Sequence, residues 1–279
     1  MSVKEYFLPQ SLAEATGLLA SHGPSLLVMA GGTIAMPLIN EGVSMPERVM
    51  GLRQAGLNYV NRSNGTVAIG ATTTLTQILG VEALPLLQTA ADNAGSWSIR
   101  NMGTIGGNIF APPPAGDVAV ALLALDAQVK LVSQSGERVL PLADFYTGFM
   151  TNVLEPGELL AEIQVPVAAG QTAYLKYGRK HAVTPAIVTA AARVVLDGGQ
   201  VKEARLALNG VGPHPLRAKQ AEAALVGSAL TPDSIAAAAQ AASAECDPFT
   251  DAIASEWYRR KMVGVYVKRA LYQIAGLEV

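Results

Sequence analysis

Four short segments of this chain carry residue types suited to chemistry. The first is Ala30-Gly31-Gly32-Thr33, which closes the apolar run Ser25–Ala30. Adjacent glycines let a backbone turn sharply and approach a ligand closely. Their N–H groups can then converge on an anion, with a helix start behind them. An ordinary tight turn between a strand and a helix fits the same residues. The second is Gly103-Thr104-Ile105-Gly106-Gly107-Asn108. Glycines, a hydroxyl and an amide together suit a diphosphate: backbone donors, a side-chain donor and no Cβ in the way. A glycine-rich bend between core elements is the other reading. The third is Pro112-Pro113-Pro114-Ala115-Gly116-Asp117. Three prolines predict a stiff, extended approach. Asp117 then either caps a helix or bonds a ribose-like hydroxyl as well. The fourth is Tyr174–Lys180 (YLKYGRK), in which two tyrosines alternate with cations. An aromatic plane beside Lys176 or Arg179 suits a flat heterocycle. Taken alone, the segment is read more simply as a solvated strand face.

Other chemistries find no support. The G-x-G-x-x-G fingerprint is not matched, no strand immediately precedes Gly103, and no Gly-Lys-Ser/Thr occurs. His22, His181 and His214 are dispersed, so no histidine metal site is expected, although His181 adjoins the fourth segment. Ser96 and Ser98 lack evident His/Asp partners for a hydrolytic triad. Trp97 reads as a core residue. Cys246 is the single cysteine. It excludes an intramolecular disulfide and any thiolate-ligated zinc or iron–sulfur site built by this chain alone. It reads as a small apolar residue.

The charge balance, 20 Lys+Arg against 22 Asp+Glu, gives no field for nucleic acid. Only 15% of the 279 residues are charged, below the usual ~25%, which suits a surface partly hidden in an assembly. The longest clean apolar run, Val118–Leu125, ends at Asp126, so no membrane span is expected. The N-terminus lacks the apolar core of a signal peptide, and a reducing, cytoplasmic setting is expected.

The elements that must position these segments follow from periodicity. Ser11-Leu12-Ala13-Glu14 predicts a capped helix start, with Leu12, Ala15, Leu18 and Leu19 on one face. Ser25–Ala30 predicts a buried strand, Met36–Asn40 a helix and Val49–Leu52 a strand. Beyond Asn58, Thr66–Ile69 predicts a strand, Leu75–Leu79 and Leu84–Gly95 predict helices, and Ser98–Asn108 reads as a glycine-rich segment. A buried helix is expected over Asp117–Ala124. Gln128–Val132 and Arg138–Pro141 predict a hairpin around Ser135-Gly136, and Leu159–Val165 a strand. Val167–Gln171 is the candidate linker. After it come strands at Tyr174–Tyr177, Val188–Asp197 and Val201–Val211, with Gly198-Gly199 as a hairpin signal. Helices follow at Leu216–Leu225, Pro232–Ala244 and Ser255–Ile274. Strands followed by helices make an α+β module.

The order of the motifs adds to each of them. AGGT after a strand, then SIRNMGTIGGNI, a Gly-Asp opening an apolar helix, LLAEIQVP and a Tyr/Lys/Arg strand closely resemble one family. It is that of the FAD-binding subunits of molybdenum hydroxylases, the xanthine dehydrogenase and carbon monoxide dehydrogenase family. The resemblance spans essentially the whole chain. It implies an α+β chain: a two-subdomain FAD-binding domain of the PCMH/vanillyl-alcohol-oxidase type over residues 1–168, with subdomains of about 1–56 and 57–168. A C-terminal domain over 169–279, a small antiparallel sheet with helices, then follows.

The resemblance also implies the cofactor contacts. Val28, Met29, Ala30, Gly31, Gly32, Thr33 and Ile34 would form the first loop, and Thr104, Gly106, Gly107 and Asn108 the second. Asp117 would lie near the adenosine end of FAD, Leu160 against the cofactor, and Lys176 near the flavin. Lys176, Tyr177 and Arg179 are the residues expected to tune the flavin and its access. No general acid or base is assigned. Ile34 stands where relatives often carry an acid, and Ala94 where some carry an adenine-stacking aromatic. The implied function is electron transfer: from the [2Fe–2S] clusters of a small subunit, through FAD, to NAD, oxygen, a quinone or another acceptor. The substrate would be oxidised at molybdenum–molybdopterin in a large subunit, within a dimer of three-subunit units. A cofactor-free scaffold and a self-contained flavin oxidoreductase remain as alternatives.

Overall fold

The computed structural model describes residues 3–180 and 183–278, so His181 lies outside the described residues. The first unit is a small parallel sheet in the order β1-β3-β2, formed by β1 (Glu5–Phe7), β2 (Leu26–Met29) and β3 (Arg48–Gly51). Two helices flank it, α1 (Leu12–His22) and α2 (Ala35–Asn40). At the start of α1 the Ser11 hydroxyl accepts from the Glu14 N–H, and the Glu14 carboxylate accepts from the Gln10 N–H at 2.8 Å. The capping signal therefore reaches back one residue further than expected. Three residues are too few for a period, and β1 carries no sequence signal.

The second unit is a five-stranded antiparallel sheet. Its order is β4-β5-β10-β6-β7, from β4 (Val60–Ser63), β5 (Thr66–Gly70), β6 (Gln128–Ser133), β7 (Gly136–Pro141) and β10 (Leu159–Pro166). A small hairpin, β8 (Tyr146–Gly148) with β9 (Thr151–Asn152), follows β7. Central β10 serves two cores. Leu160, Ile163 and Val165 enter the core of this unit, while Leu159 and Ala161 enter the core of the first. A bulge between Leu160 and Glu162 makes this possible, because one extra residue reverses the alternation along the strand.

The helices of this unit are α3 (Leu75–Ile78), α4 (Pro85–Asp92), α5 (Trp97–Met102), α6 (Ile105–Ile109) and α7 (Asp117–Ala124). The segment expected as a glycine-rich bend is thus largely helical. Ser96 and Thr104 each cap a short helix, accepting from the Ile99 and Gly107 N–H groups. Glycine composition hid these helices. Trp97, expected in the core, is 69% exposed at the start of α5. The three prolines, expected to be extended, form a turn closed by the Ala115 N–H on the Pro112 carbonyl.

All eight residues of α7 are buried. One side packs in the antiparallel-sheet core, and the other faces a third unit. That unit is a sheet in the order β11-β12-β13-β14, from β11 (Gln171–Gly178), β12 (Ala186–Asp197), β13 (Gln200–Asn209) and β14 (Leu216–Arg217). Helices α8 (Lys219–Leu225), α9 (Pro232–Glu245) and α10 (Glu256–Ala275) cover its far face. The helix expected from Leu216 starts at Lys219, because Leu216 and Arg217 pair with Leu208 and Ala207.

Cross-strand register explains how the third sheet receives α7. Three rows of residues on one face lie along it. Lys176, Thr189 and Asn209 form the row at the N-terminus of α7, and Ala191 and Ala207 leave room at its middle. Arg193 and Arg205 form the row at its C-terminus. Arg193 donates to the Ala124 carbonyl and Arg217 to the Leu123 carbonyl, both in the last turn of the helix. Arg193, Arg205 and Arg217 also converge on Asp126 at 2.9, 2.7 and 2.6 Å. No sequence motif announces this cluster, whose members come from three strands and the turn after α7.

Buried Arg259 of α10 fastens the helices to the sheet. It donates to the Ile187 and Gly210 carbonyls at 2.6 and 3.0 Å, and to both Asp251 oxygens at 2.8 Å. Arg259→Met is expected to cost about 2–4 kcal/mol, since it leaves the Ile187 and Gly210 carbonyls without this donor and takes the guanidinium from a partly exposed carboxylate that keeps its Ile253 and Ala254 N–H bonds. Denaturant unfolding of the variant measures this, and a loss below about 1 kcal/mol would contradict it.

Candidate functional site

A cleft of about 590 Å³ lies where the three units meet, within the ~300–1,000 Å³ usual for ligand sites. Its first wall is the end of β2 and the following loop, Val28, Met29, Ala30, Gly31, Gly32, Thr33 and Ile34. The loop begins where the strand ends because Gly32 adopts φ +73°, a left-handed conformation that favours glycine. Among the described residues, the N–H groups of Gly31, Gly32, Thr33 and Ile34 meet no protein acceptor, and α2 starts without a side-chain cap. This loop therefore presents unpaired backbone donors to the cleft.

The second wall holds Thr104, Gly106, Gly107 and Asn108. Here the structure corrects the expected chemistry. The Gly106 N–H donates to the Ala71 carbonyl at 3.0 Å, and the Gly107 N–H to the Thr104 hydroxyl oxygen at 3.0 Å. These donors are already bonded, so the segment is not a second nest of free N–H groups. Its glycines admit close approach instead. A Cβ on Gly106 would meet the Ala71 carbonyl oxygen at 2.7 Å, so that glycine serves packing. A Cβ on Gly107 would meet only the Thr104 hydroxyl oxygen at 3.1 Å and the Ala30 Cβ at 4.0 Å. Gly107 thus keeps cleft space open.

Asp117 does not cap α7. Gly116 is the N-cap residue, at φ +90°, and Asp117 is the first helical residue. The cap comes from Asn108, whose side-chain oxygen accepts from the Val118 and Ala119 N–H groups at 2.9 and 3.3 Å. Asn108 therefore ties the second wall to the buried helix. Asp117 is left free to face the cleft, and one of its oxygens bonds the Lys176 ammonium at 2.7 Å. Lys176 also donates to the Asn93 carbonyl at 3.0 Å. Both side chains are about nine-tenths buried. Burial pushes the Asp117 carboxyl up, and the Lys176 charge opposes that shift. The other Asp117 oxygen is buried without a partner among the described residues.

Leu159 and Leu160 of β10, with Leu52 after β3, make the apolar floor. Glu158 stands at the edge, held below the usual carboxylate range chiefly by its hydrogen bond from Arg138. Val183, Thr184 and Pro185 line the side of the third unit, and Ala94 lies between α4 and α5. None of Leu52, Glu158 and Val183–Pro185 stood out in the sequence, because their types are ordinary and only the fold gathers them.

Tyr177 does not reach the cleft. Alternation along β11 turns Lys176 toward α7 and Tyr177 toward α10. The Tyr177 hydroxyl lies 2.8 Å from that of Tyr258, and its ring stacks on Tyr266 at 5.0 Å. Tyr174 is buried, with its hydroxyl donating to the Asp117 carbonyl at 3.2 Å. Arg179 is exposed beyond the strand. The YLKYGRK segment is therefore neither an aromatic platform nor a solvated face. Its strand part, Tyr174–Tyr177, is packed on both sides, while Arg179 and Lys180 are exposed, and Lys176 alone among the segment's side chains lines the cleft.

Residues 1–168 match the family described as the FAD binding domain in molybdopterin dehydrogenase, and residues 173–274 match the CO dehydrogenase flavoprotein C-terminal domain. The chain belongs to the FAD-binding subunits of the molybdopterin dehydrogenases. Within that family it is 34% identical to the glyceraldehyde dehydrogenase medium chain of Sulfolobus acidocaldarius, over 97% of this chain and 98% of that one. It is 36% identical to the carbon monoxide dehydrogenase medium chain of Hydrogenophaga pseudoflava, over 96% and 95%. A solved structure of carbon monoxide dehydrogenase from H. pseudoflava, lacking the Mo-pyranopterin moiety of its molybdenum cofactor, superposes with a TM-score of 0.94. The identity there is 35%, covering 98% of this chain and 97% of that one. The chain is thus the FAD-binding subunit of a molybdenum hydroxylase of the carbon monoxide and xanthine dehydrogenase family, and FAD is its cofactor.

The cleft fits FAD on its own evidence. Free N–H groups at Gly31–Ile34 suit a diphosphate, and the unpartnered Asp117 oxygen suits a hydroxyl donor. Leu159, Leu160 and Leu52 suit flat apolar rings. Among the described residues no helix is long and apolar enough to cross a membrane, and no cluster of His, Cys, Asp and Glu has a metal-binding arrangement.

Proposed function

We propose that this chain is the electron-transfer station of a three-subunit complex. Electrons would enter one at a time from [2Fe–2S] clusters in a small partner subunit. The large partner would oxidise the substrate at molybdenum–molybdopterin, and a diffusible acceptor such as NAD, oxygen or a quinone would leave with the electrons. The complex would be a dimer of such trimers in the cytoplasm. One cysteine in 279 residues supports the division of labour, because this chain cannot build an iron–sulfur site alone.

FAD supplies a redox centre able to exchange electrons singly or in pairs. The residues proposed to hold it are Val28–Ile34, Thr104, Gly106, Gly107, Asn108, Asp117, Leu160 and Lys176. The first loop donates backbone N–H groups to the diphosphate. Asp117 accepts from a hydroxyl, and Lys176 holds one oxygen of that carboxyl in place while its charge opposes the upward push of burial. The apolar floor keeps water from the rings. Tyr177 has no part in this set. The linker at Val167–Gln171 would separate two domains, with Lys176 as the C-terminal domain's charged contribution beside Val183, Thr184 and Pro185.

The observation that carries the proposal is the convergence of free loop donors, an unpartnered buried carboxylate oxygen and an apolar floor in one cleft. The test is an absorbance spectrum of the purified chain, then identification by mass of what denaturation releases. Flavin bands near about 370 and 450 nm, with FAD released, are expected. A colourless chain that cannot be loaded with added FAD would overturn the cofactor assignment. For the complex, iron and molybdenum should co-purify with this chain when all subunits are expressed together.

A further inference from the structure

We propose that Asn209, which does not line the cleft, is a positioning residue for the cofactor, acting through Asp117. The inference rests on the FAD reading above and adds a residue to it. Asn209 ends β13 and is fully buried. Its amide nitrogen donates to the Ala115 carbonyl at 2.5 Å and to the Pro114 carbonyl at 3.4 Å. Its oxygen accepts from the Gly210 N–H at 2.7 Å, which fixes the amide orientation: the nitrogen must face the turn. Ala115 and Gly116 lead directly into Asp117, and both line the cleft.

Asn209 and Lys176 act on the same turn from one sheet face. Cross-strand register places Lys176, Thr189 and Asn209 in a single row, with two strand spacings (about 10 Å) between its ends. Lys176 grips one Asp117 oxygen, and Asn209 grips the backbone two residues before it. Between them the Thr189 hydroxyl makes no bond among the described residues, so the turn is held at the two ends of the row. A backbone held at two points fixes where the free Asp117 oxygen aims. Gly116 needs this support, because at φ +90° it adopts a conformation reached by few residue types and limits how the turn can relax. Asn209 is itself anchored: the Gly210 carbonyl accepts from buried Arg259 at 3.0 Å. The helical half of the third unit is thereby linked to the aim of a cleft carboxylate.

The test is a double-mutant cycle on the full chain, read as FAD affinity by fluorescence titration. Asn209→Ala removes all three side-chain bonds, and Asn209→Asp keeps the acceptor for Gly210 while removing the donor to the turn. Each is expected to weaken FAD binding about tenfold, the effect of one lost buried hydrogen bond. In an Asp117→Ala background the same changes should cost less than about twofold, because the group they aim is gone. Equal losses in both backgrounds would make Asn209 a general structural residue and overturn the proposal. So would unchanged affinity in the single variants, or failure of both to fold. If Asp117→Ala alone leaves FAD affinity unchanged, it is the assignment of this cleft wall to FAD that fails, and the proposal with it.

Discussion

Gly31→Ala is expected to prevent stable folding of the FAD-binding half. The added Cβ would stand 1.8 Å from the Met102 carbonyl oxygen and 2.7 Å from its carbon, with the Gly103 Cα at 3.1 Å. All three are backbone atoms, so no side chain can swing aside. The loop after β2 and the junction of α5 with α6 touch through main chain at this point. Relief requires moving either the loop or the junction, and with it the Leu75 N–H bond to the Gly103 carbonyl at 2.9 Å. A cost above about 4 kcal/mol follows, a large share of the ~5–15 kcal/mol that stabilises most proteins. Soluble yield and thermal unfolding of the variant are the measurements. A folded variant with an unchanged midpoint would mean that the two loops do not meet as closely as described.

Gly107→Ala should do the opposite: keep the fold and lose the cofactor. Alanine is favoured over glycine in a helix by about 1 kcal/mol, which offsets the close contact with the Thr104 hydroxyl. The new methyl group otherwise projects into cleft space. FAD affinity is expected to fall about 10- to 100-fold, as an extra carbon in a filled site costs roughly 1–3 kcal/mol. Gly107→Val should lower it further. Titration of the stripped variants with FAD, beside their thermal midpoints, separates the two glycines. Unchanged affinity with an unchanged midpoint would remove the second wall from the cofactor site.

These two glycines belong to motifs that look alike in sequence and act differently in the fold. Gly31 and Gly106 are required by neighbouring backbone, Gly32 by its left-handed conformation, and Gly107 by open space. A glycine-rich pattern reports only that a Cβ is unwelcome; the reason lies in what stands opposite. The same limit explains Asp117. Its place at the start of an apolar helix suggested a cap, yet Asn108, nine residues before it, caps that helix, and Asp117 is released to the cleft. Tyr177 shows the limit for strands. Neighbouring residues on a strand face opposite ways, and the YLKYGRK pattern alone does not say which way leads to the ligand.

Periodicity and capping made most elements legible. Helices α1, α7, α9 and α10 and the long strands β12 and β13 follow from local patterns, because each is long enough for its period or clearly capped. Some short elements with a clear apolar run or cap, such as β2, β5 and α3, were still legible, whereas β1, β4, α5 and α6 have too little pattern to be read and owe their form to tertiary partners. The site divides in the same way. The sequence by itself determined which residues could meet a diphosphate and a flat ring, since glycine, hydroxyl, amide and charge are properties of residue types. It also determined that the chain has no iron–sulfur ligand set of its own. Only the tertiary structure decided which N–H groups stay free, that Lys176 crosses from the C-terminal sheet to Asp117, and that Tyr177 turns away. Those are facts of distance and direction, and register, bulge and packing set them only once the three units are assembled.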